Sequence, residues 1–211
     1  MKDSENLGIK TIRYNSTDST QLRAKEVLKN QELCAPFCIT AGTQTGGYGQ
    51  AGRAYYCPYG GLYMSLVVPG KDFRYKFATG FVAVCVARAI ERAIAQDPRS
   101  LAVKWVNDLL LDGKKVGGVL IEKVGGHFVI GVGLNLIQTE PVPEELGERI
   151  GFLNAAVSAA DIVREIMTLK LTDAQVLTEY KKYCNIDGLN VDGSIDYVAP
   201  DGKSTKKFSN L

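Results

Sequence analysis

The chain has 211 residues, with 25 lysines and arginines against 23 aspartates and glutamates, which leaves a net charge of +2 at pH 7. This length suits one sizeable domain with room for a small appendage. So balanced a charge argues against nucleic acid as a main partner, and no apolar run is long enough to cross a bilayer. The first ten residues also lack the apolar segment of a signal peptide, so we expect a cytoplasmic protein with no membrane partner.

The cysteines and the single histidine indicate no catalytic or metal centre. Five cysteines are scattered along the chain. Cys34 and Cys38 lie four residues apart, but no second pair with zinc-ligand spacing accompanies them. We therefore expect reduced thiols and no metal ion held by protein ligands. His127 follows two glycines beside a predicted strand, so we do not assign it to a Ser-His or Cys-His pair.

The amino-terminal part predicts a strand followed by a helix. Residues 9–14 suit a first strand, which the following Asn-Ser-Thr breaks. Asp18 is then predicted to be the N-cap of a helix with Gln21 at its third position, a variant of the capping box. Leu22, Val27 and Leu28 are predicted to form the apolar face of this helix. By itself, the Asp-Ser-Thr-Gln run at residues 18–21 indicates capping and no more.

A glycine-rich loop follows the second predicted strand. Residues 37–43 form that strand, and residues 44–53 contain four glycines. Such a loop can bring backbone N–H groups close to a phosphate or a carboxylate, although alone it more often indicates a flexible connection. After the loop, Tyr55 could stack on an adenine or close off a pocket. The alternating pattern of residues 62–68 predicts a third strand.

The middle of the chain predicts a buried helix and a meander of three strands. Residues 79–96 are apolar on most sides, as in a helix packed on a sheet. In residues 104–122, KWVNDLLLDGKKVGGVLIE, two strands are joined by an Asp-Gly dipeptide that favours a type I′ turn. The period of two along a strand puts Lys114 and Lys115 on opposite faces, so only one of them can enter a site. Residues 128–136 supply the third strand.

The carboxyl-terminal part predicts helices and a short appendage. Ser158 and Asp161 open a helical region, which residues 172–183 continue or restart. Strand-like pieces such as residues 194–198 then alternate with glycines and charges. Because fewer than about 40 residues rarely hold a core alone, we divide the chain into a domain of residues 1–184 and an appendage of residues 185–211 packed on it.

Several blocks of the sequence resemble the biotin–protein ligases. Residues 104–122 resemble the KWPNDL…K-x-x-G-[IV]-L-x-E block of that family, and residues 131–135 resemble its G-[IV]-G-[IV]-N. Residues 18–21 match three of four positions of D-S-T-N, and the glycine frame of residues 44–53 matches T-x-x-G-R-G-R-x-G-R. The family pattern R-x-W-x-S-P-x-G-G-L-Y-x-S is also recognisable. Positions that depart from these patterns include Gln21, Tyr48, Gln50, Tyr55 and Cys57.

This resemblance, which covers residues 9–136, implies a fold and an activity. The fold is α+β, with a mixed, mostly antiparallel sheet and helices on one face. The family usually ends in a small SH3-like barrel, so the appendage is interpreted as a shortened SH3-like remnant. The implied activity is ligation of biotin through biotinyl-5′-AMP to a lysine of a biotin carboxyl carrier protein or domain. Biotin and ATP are the substrates, Mg²⁺ accompanies ATP, and a homodimer is possible.

The resemblance also implies site residues. As catalytic residues it implies Lys115 and Arg53, which would bring two anions together, and Asp108, which would orient or deprotonate the acceptor amine; a structural role for Asp108 is equally open. The implied biotin-binding residues are Ser19, Thr20, Gln21, Gln44, Tyr48, Gly49, Gln50, Lys115 and Gly118. The implied nucleotide-binding residues are Gly47, Gly52, Arg53, Tyr55, Lys104, Asn107 and Asn135.

Two alternatives remain open at this point. A lipoate- or octanoate-transferring enzyme would share the fold, although the KWxNDL and D-S-T blocks favour biotin. The altered glycine-rich loop would also suit a biotin-binding module that no longer ligates. Regulatory members of the family carry an amino-terminal helix-turn-helix domain, whereas only eight residues precede residue 9 here, so we do not expect a DNA-binding repressor.

Overall fold

The computed structural model describes residues 7–95, 99–184, 194–199 and 202–207. The elements follow one another along the chain as β1 (Lys10–Tyr14), α1 (Thr20–Lys29), β2 (Phe37–Ala41), β3 (Gly61–Pro69), α2 (Ala78–Ala93), β4 (Leu101–Lys104), β5 (Asp108–Leu111), β6 (Lys114–Val124), β7 (His127–Asn135), α3 (Ala159–Thr168), α4 (Asp173–Tyr183), β8 (Ser194–Ala199) and β9 (Gly202–Lys207). No helix within these residues is long and apolar enough to cross a membrane.

Seven of the described strands form one sheet in the order β1-β2-β3-β7-β6-β5-β4. The β1–β2 pair, which α1 connects, is parallel, and the other neighbouring pairs are antiparallel. This arrangement confirms the predicted mixed, mostly antiparallel sheet. Asp112 and Gly113 have φ angles of 49° and 76°, as a type I′ turn requires. The predicted meander therefore exists, and it gains β4 as a fourth strand.

The helices cover both faces of the sheet, so the prediction that they lie on one face is wrong. The buried helix α2 packs with α3 and α4 on the face that carries Cys38 and Leu66. On the opposite face, α1 packs against Phe37 and Ile39. Because β2 is apolar on both faces, each face needs a cover. The cavities described below lie on the α1 side of the sheet.

The amino terminus of α1 also differs from the prediction. Ser19, not Asp18, is the N-cap, and its Oγ accepts a hydrogen bond from Leu22 N at 3.5 Å. Asp18 instead forms an ion pair with Arg23 at 3.2 Å. Gln21 is 4% exposed and faces the sheet, so it cannot complete a capping box. The Gln21 amide instead hydrogen-bonds to the Val129 O and the Ser65 Oγ of the sheet, and the N-cap lies one residue later than predicted.

The carboxyl-terminal helices begin as the sequence indicates. Ser158 and Asp161 form a capping box at α3, and α4 restarts the helical region with Thr172 as its N-cap. β8 and β9 then pair antiparallel, which confirms a strand over the predicted residues 194–198. The remainder of the appendage lies outside the described residues. Its SH3-like character, its packing and the domain boundary at residue 184 stay predictions.

Candidate active site

The first of two adjoining cavities lies where α1, β3, β6, β7 and the glycine-rich loop meet, and the second lies beside it against β5, β6 and residues 146–150. The first cavity has a volume of about 520 Å³ and the second about 390 Å³, sizes typical of small-molecule sites. The residues that line both are Ala54, Tyr55, Lys104, Asp108, Lys115 and Arg149. A ligand in one cavity would therefore meet a ligand in the other along this shared wall.

The first cavity gathers all nine residues that the sequence resemblance assigned to biotin. Of those assigned to the nucleotide, Tyr55 and Lys104 line both cavities, Arg53 and Asn107 line the first, and Asn135 lines the second. Gly47 and Gly52 line neither of the two cavities. A Cβ on Gly47 would lie 2.3 Å from the Cys57 Sγ, and Gly52 has a φ of 70°. These two glycines therefore shape the loop.

The floor of the first cavity is a buried polar network. The Gln44 Oε1 accepts a hydrogen bond from Thr20 N at 2.7 Å. The Ser65 Oγ lies 2.8 Å from the Gln21 Oε1 and 2.9 Å from the Thr20 Oγ1, and the Gln21 Nε2 donates to the Val129 O at 3.0 Å. These partners hold the polar side chains in fixed orientations. The sequence resemblance contained Ser65 within its L-Y-x-S block, but the prediction did not assign it to the site.

Two glycines of β7 allow side chains to lie flat on the sheet. A Cβ at Gly131 would be 2.8 Å from the Gln21 Oε1, and one at Gly133 would be 2.7 Å from the Tyr55 ring. The Tyr55 hydroxyl donates to the Gly133 O at 3.0 Å. Glycine is therefore needed at both positions, because any side chain would displace Gln21 or Tyr55 from the cavity wall.

Lys115 and Asp108 lie side by side in the shared wall. The Lys115 Nζ is 2.6 Å from the Asp108 Oδ1 and 5.4 Å from the centre of the Tyr55 ring. Lys114 is exposed and lines neither cavity, as the strand period predicts. The register of β5 and β6 shifts immediately after Lys115, which leaves Val116 without a partner. Such bulges often direct a side chain next to an active site.

Arg149 is a cation of the site that the sequence did not indicate. It ends the short 3₁₀ turn Gly147–Arg149 and lines both cavities. Backbone pairing fixes the neighbouring segment, since Gly151 N donates to the Lys115 O at 2.8 Å. The Asn135 Nδ2 donates to the Gly151 O at 3.1 Å. No local motif marks residues 141–150, so only the tertiary contact with β6 brings Arg149 to the cavities.

Two asparagines assigned to the nucleotide have different surroundings. The Asn107 Nδ2 donates to the Val119 O at 2.8 Å, which fixes the connection between β4 and β5 on β6. Asn135 is 2% exposed, and its Oδ1 has no hydrogen-bond partner among the described residues. A buried acceptor without a partner is costly. Asn135 therefore offers an acceptor at the second cavity.

The glycine-rich loop folds back on itself as a short hairpin. Tyr55 N donates to the Gly47 O at 2.9 Å, and Gly49 N donates to the Arg53 O at 2.8 Å. The tip is the 3₁₀ turn Gln50–Gly52. Backbone hydrogen bonds thus close the loop beside the first cavity, and they limit the positions that the side chains of the loop can reach.

The charges around the first cavity are mostly positive. Its described lining residues include the cations Arg53, Lys104, Lys115 and Arg149 and the single acid Asp108. Such a surface favours anionic ligands, because a cluster of cations with partly excluded water stabilises carboxylate and phosphate oxygens. The geometry therefore suits two anions that meet at the shared wall.

Comparison with known sequences indicates the family of the chain. Residues 14–135 match the biotin/lipoate A/B protein ligase family. The chain is 30% identical over 177 residues to the bifunctional ligase/repressor BirA of Bacillus spizizenii, a match that covers 78% of the chain and 53% of that relative. It is 31% identical over 126 residues to the biotin–[acetyl-CoA-carboxylase] ligase of Paracoccus denitrificans, covering 57% and 52%. The chain thus spans about half the length of the curated relatives it matches.

Comparison with solved structures concerns the fold. A biotin protein ligase from Aquifex aeolicus in complex with biotin and ATP superposes with a TM-score of 0.77 over 95% of this chain and 96% of that one. The two sequences are 23% identical, so this similarity shows a shared architecture. The matched sequence segment extends over more than half of the chain and contains the residues of both cavities except Leu146, Arg149 and Ile150. The chain therefore belongs to the biotin/lipoate A/B protein ligase family.

Proposed function

We propose that this chain activates biotin with ATP and transfers it, through biotinyl-5′-AMP, to a lysine of a biotin carboxyl carrier protein or domain. The observation that carries the proposal is the wall shared by the two cavities, where Lys104, Lys115 and Arg149 place three cations between two binding spaces. An enzyme that joins two anionic substrates needs this arrangement. The sequence relatives named above support the choice of biotin within the family.

The first cavity has the chemistry that biotin requires. The cyclic urea of biotin both donates and accepts hydrogen bonds, and Ser19, Thr20 and Gln44 offer hydroxyl and amide groups that do the same. Tyr55 and Leu120 add apolar surface for the remaining ring and chain. The biotin carboxylate would then extend from the polar floor towards the shared wall and Lys115.

The second cavity has the chemistry of a nucleotide site. Tyr55, Leu146 and Ile150 contribute aromatic and aliphatic surface for a base. The Asn135 Oδ1, which has no partner among the described residues, can accept a hydrogen bond from the amino group of adenine. The phosphates would then lie at the shared wall, next to the biotin carboxylate.

In the first step, a biotin carboxylate oxygen attacks the α-phosphorus of ATP and pyrophosphate leaves with the electrons of the broken P–O bond. Lys115 would contact both anions and stabilise the charge that develops between them. Mg²⁺ would accompany ATP, held by the substrate phosphates and at most one or two protein carboxylates. Asp108 is the one carboxylate among the described lining residues, and the described chain contains no group of three potential metal ligands.

In the second step, the neutral amine of the acceptor lysine attacks the carbonyl carbon of the mixed anhydride. An amide bond forms, the bond to the phosphate oxygen breaks, and AMP leaves. The acceptor amine must first lose its proton. Asp108 lies in the shared wall, within 2.6 Å of Lys115, where its carboxylate can orient that amine and take the proton.

The proposal is tested by incubating the chain with biotin, MgATP and a biotin acceptor domain, followed by mass spectrometry of the acceptor. One biotinyl group should appear on the acceptor, and an acceptor whose target lysine is replaced by arginine should stay unmodified. A panel of biotin, lipoate and octanoate in a pyrophosphate-release assay separates the ligase from the lipoate or octanoate alternative. Biotin binding without pyrophosphate release would instead identify a binding module.

The other partner assignments stay predictions. A homodimer, a cytoplasmic location and the absence of a nucleic-acid partner rest on sequence alone. The Bacillus spizizenii relative is named a ligase/repressor, and that second role is not proposed for this chain.

A further inference from the structure

Tyr48 joins the glycine-rich loop to an ion pair on two other elements. Its hydroxyl lies 3.0 Å from the Lys25 Nζ and 3.0 Å from the Glu122 Oε2. Lys25 belongs to α1 and Glu122 to β6, and the Lys25 Nζ is 2.7 Å from the Glu122 Oε1. One tyrosine hydroxyl thus connects the loop to the helix that carries the polar floor and to the strand that carries Lys115.

The protonation states suit this three-way contact. Burial of Lys25 favours its neutral amine, but the hydrogen bonds with Glu122 and Tyr48 outweigh this effect and raise the pKa of Lys25. In the same way, the contacts with Lys25, Gln21 and Tyr48 outweigh burial and lower the pKa of Glu122. Burial raises the pKa of Tyr48. The ammonium can therefore donate to the hydroxyl, and the hydroxyl can donate to the carboxylate.

We propose that Tyr48 is a positioning residue, which holds the glycine-rich loop against the first cavity by hydrogen-bonding its hydroxyl to the Lys25–Glu122 ion pair. The inference deepens the proposed function, on which its kinetic consequences rest. The family pattern places arginine at position 48 and at position 50, where a cation can contact the phosphate of the intermediate. In this chain the neutral Tyr48 side chain instead hydrogen-bonds to Lys25 and Glu122 and so ties the loop to α1 and β6.

Fixing the loop in this way lowers the free-energy cost of ordering it over a bound ligand. Ordering a flexible loop on binding consumes part of the interaction free energy, and a loop that is already ordered does not. The backbone hairpin at the loop fixes its shape, while the Tyr48 hydroxyl fixes its orientation on the sheet. Tyr48 would therefore influence the retention of biotin and of biotinyl-5′-AMP more than the chemical step, which depends on the shared wall.

Tyr48→Phe tests the proposal, because it keeps the ring and removes only the hydroxyl. Hydrogen bonds to charged partners commonly change equilibria by roughly ten-fold or more. We expect release of biotinyl-5′-AMP to become roughly ten-fold faster and the KM for biotin to rise similarly, while kcat and the thermal midpoint stay near wild type. A general structural defect would instead lower the midpoint and kcat together.

A double-mutant cycle with Glu122→Gln supplies a second variant. If the hydroxyl acts through the ion pair, the Tyr48→Phe/Glu122→Gln double variant should release the intermediate no faster than the stronger single variant. Tyr59→Phe is the matched control, since Tyr59 is 67% exposed and lines neither cavity. Full additivity of the two substitutions would show that Tyr48 does not act through Glu122, and would overturn the proposal.

Hydrogen exchange of the loop amides keeps the test independent of the proposed activity. Measured on the protein with no substrate added, exchange at residues 47–54 should be faster in Tyr48→Phe than in wild type and unchanged in Tyr59→Phe. Unchanged exchange in Tyr48→Phe would overturn the positioning role. If exchange accelerates but no variant releases pyrophosphate, the positioning role stands and the proposed ligase function fails.

Discussion

The carboxylate of Asp108 and the ammonium of Lys115 form an ion pair of 2.6 Å in the wall shared by both cavities. Asp108 faces Gly118 across β5 and β6, so the Lys115 side chain reaches it diagonally. A Cβ at Gly118 would lie 3.8 Å from the Asp108 Oδ1. The pair holds the Lys115 amine at the junction where a carboxylate and a phosphate would meet, and it brings the proposed base next to the same junction.

Lys115→Ala should abolish formation of biotinyl-5′-AMP with little change in fold. The side chain is 30% exposed, so its removal opens no core cavity, whereas the two anionic substrates lose the cation between them. Pyrophosphate release should fall by orders of magnitude, and the thermal midpoint should stay near that of wild type. Lys114→Ala is the matched control and should release pyrophosphate normally. Near-normal release from Lys115→Ala would refute this assignment.

Asp108→Asn should slow the transfer of biotin more than the formation of the adenylate. The amide can still accept a hydrogen bond from Lys115 but cannot take a proton, and loss of a general base costs about 10²-fold or more. Transfer should recover as the pH rises towards about 10, where the acceptor lysine loses its proton unaided. The measurement is the single-turnover rate of biotin transfer from preformed biotinyl-5′-AMP at a series of pH values. Equal loss in both steps at every pH would indicate that Asp108 only positions Lys115.

Gln50→Arg should slow the release of biotinyl-5′-AMP. Gln50 and Arg53 both line the first cavity, and a charge-assisted hydrogen bond to the phosphate contributes about 1.5–3 kcal/mol, or roughly 10- to 150-fold in the release rate. Arg53→Ala should speed release if Arg53 already supplies this cation. The dissociation rate of biotinyl-5′-AMP from each variant shows which residue contacts the phosphate. If neither variant alters it, the loop does not lie over the phosphate.

Arg149→Ala should raise the KM for ATP about ten-fold and leave the KM for biotin unchanged. Arg149 and Lys115 both line the shared wall, where a phosphate contact contributes about 1.5 kcal/mol or more. Arg149→Lys should recover part of the affinity, since it keeps the charge but loses the planar donors. Lys123→Ala removes an exposed cation outside both cavities and serves as the control. An unchanged KM for ATP in Arg149→Ala would exclude this contact.

Acid should weaken the contribution of Glu122 to stability. Its pKa in the folded chain is lower than the ordinary value of 4.5, because hydrogen bonds from Lys25, Gln21 and Tyr48 outweigh burial. Such a group stabilises the fold above the unfolded pKa, and the contribution is lost as the pH falls through the folded pKa. The difference in thermal midpoint between wild type and Glu122→Gln should therefore be constant from about pH 6 to 8 and shrink below about pH 5.

Glu144→Gln, at an exposed carboxylate, is the control for this pH series. Its midpoint should follow that of wild type at every pH. A Glu122→Gln difference that grows as the pH falls would contradict the expected sign.

Local sequence alone determined most of the strands and the face that each presents. The Asp112-Gly113 dipeptide requires a tight turn, and the period of two along β6 then exposes Lys114 while Lys115 enters the cavities. The residues implied to bind biotin also lie in short local blocks, so their position in the first cavity followed from the resemblance. These features depend on neighbours only a few residues away, which a single sequence displays directly.

Only the tertiary structure decided which distant groups meet. Gln21 lies 44 residues from Ser65 in sequence and Tyr48 lies 74 from Glu122, and no local pattern pairs them. For the same reason the sequence did not indicate Arg149, which pairing with the Lys115 backbone brings to the cavities. Local periodicity tells which face a side chain occupies, but the packing of α1 and the sheet order decide what lies opposite that face.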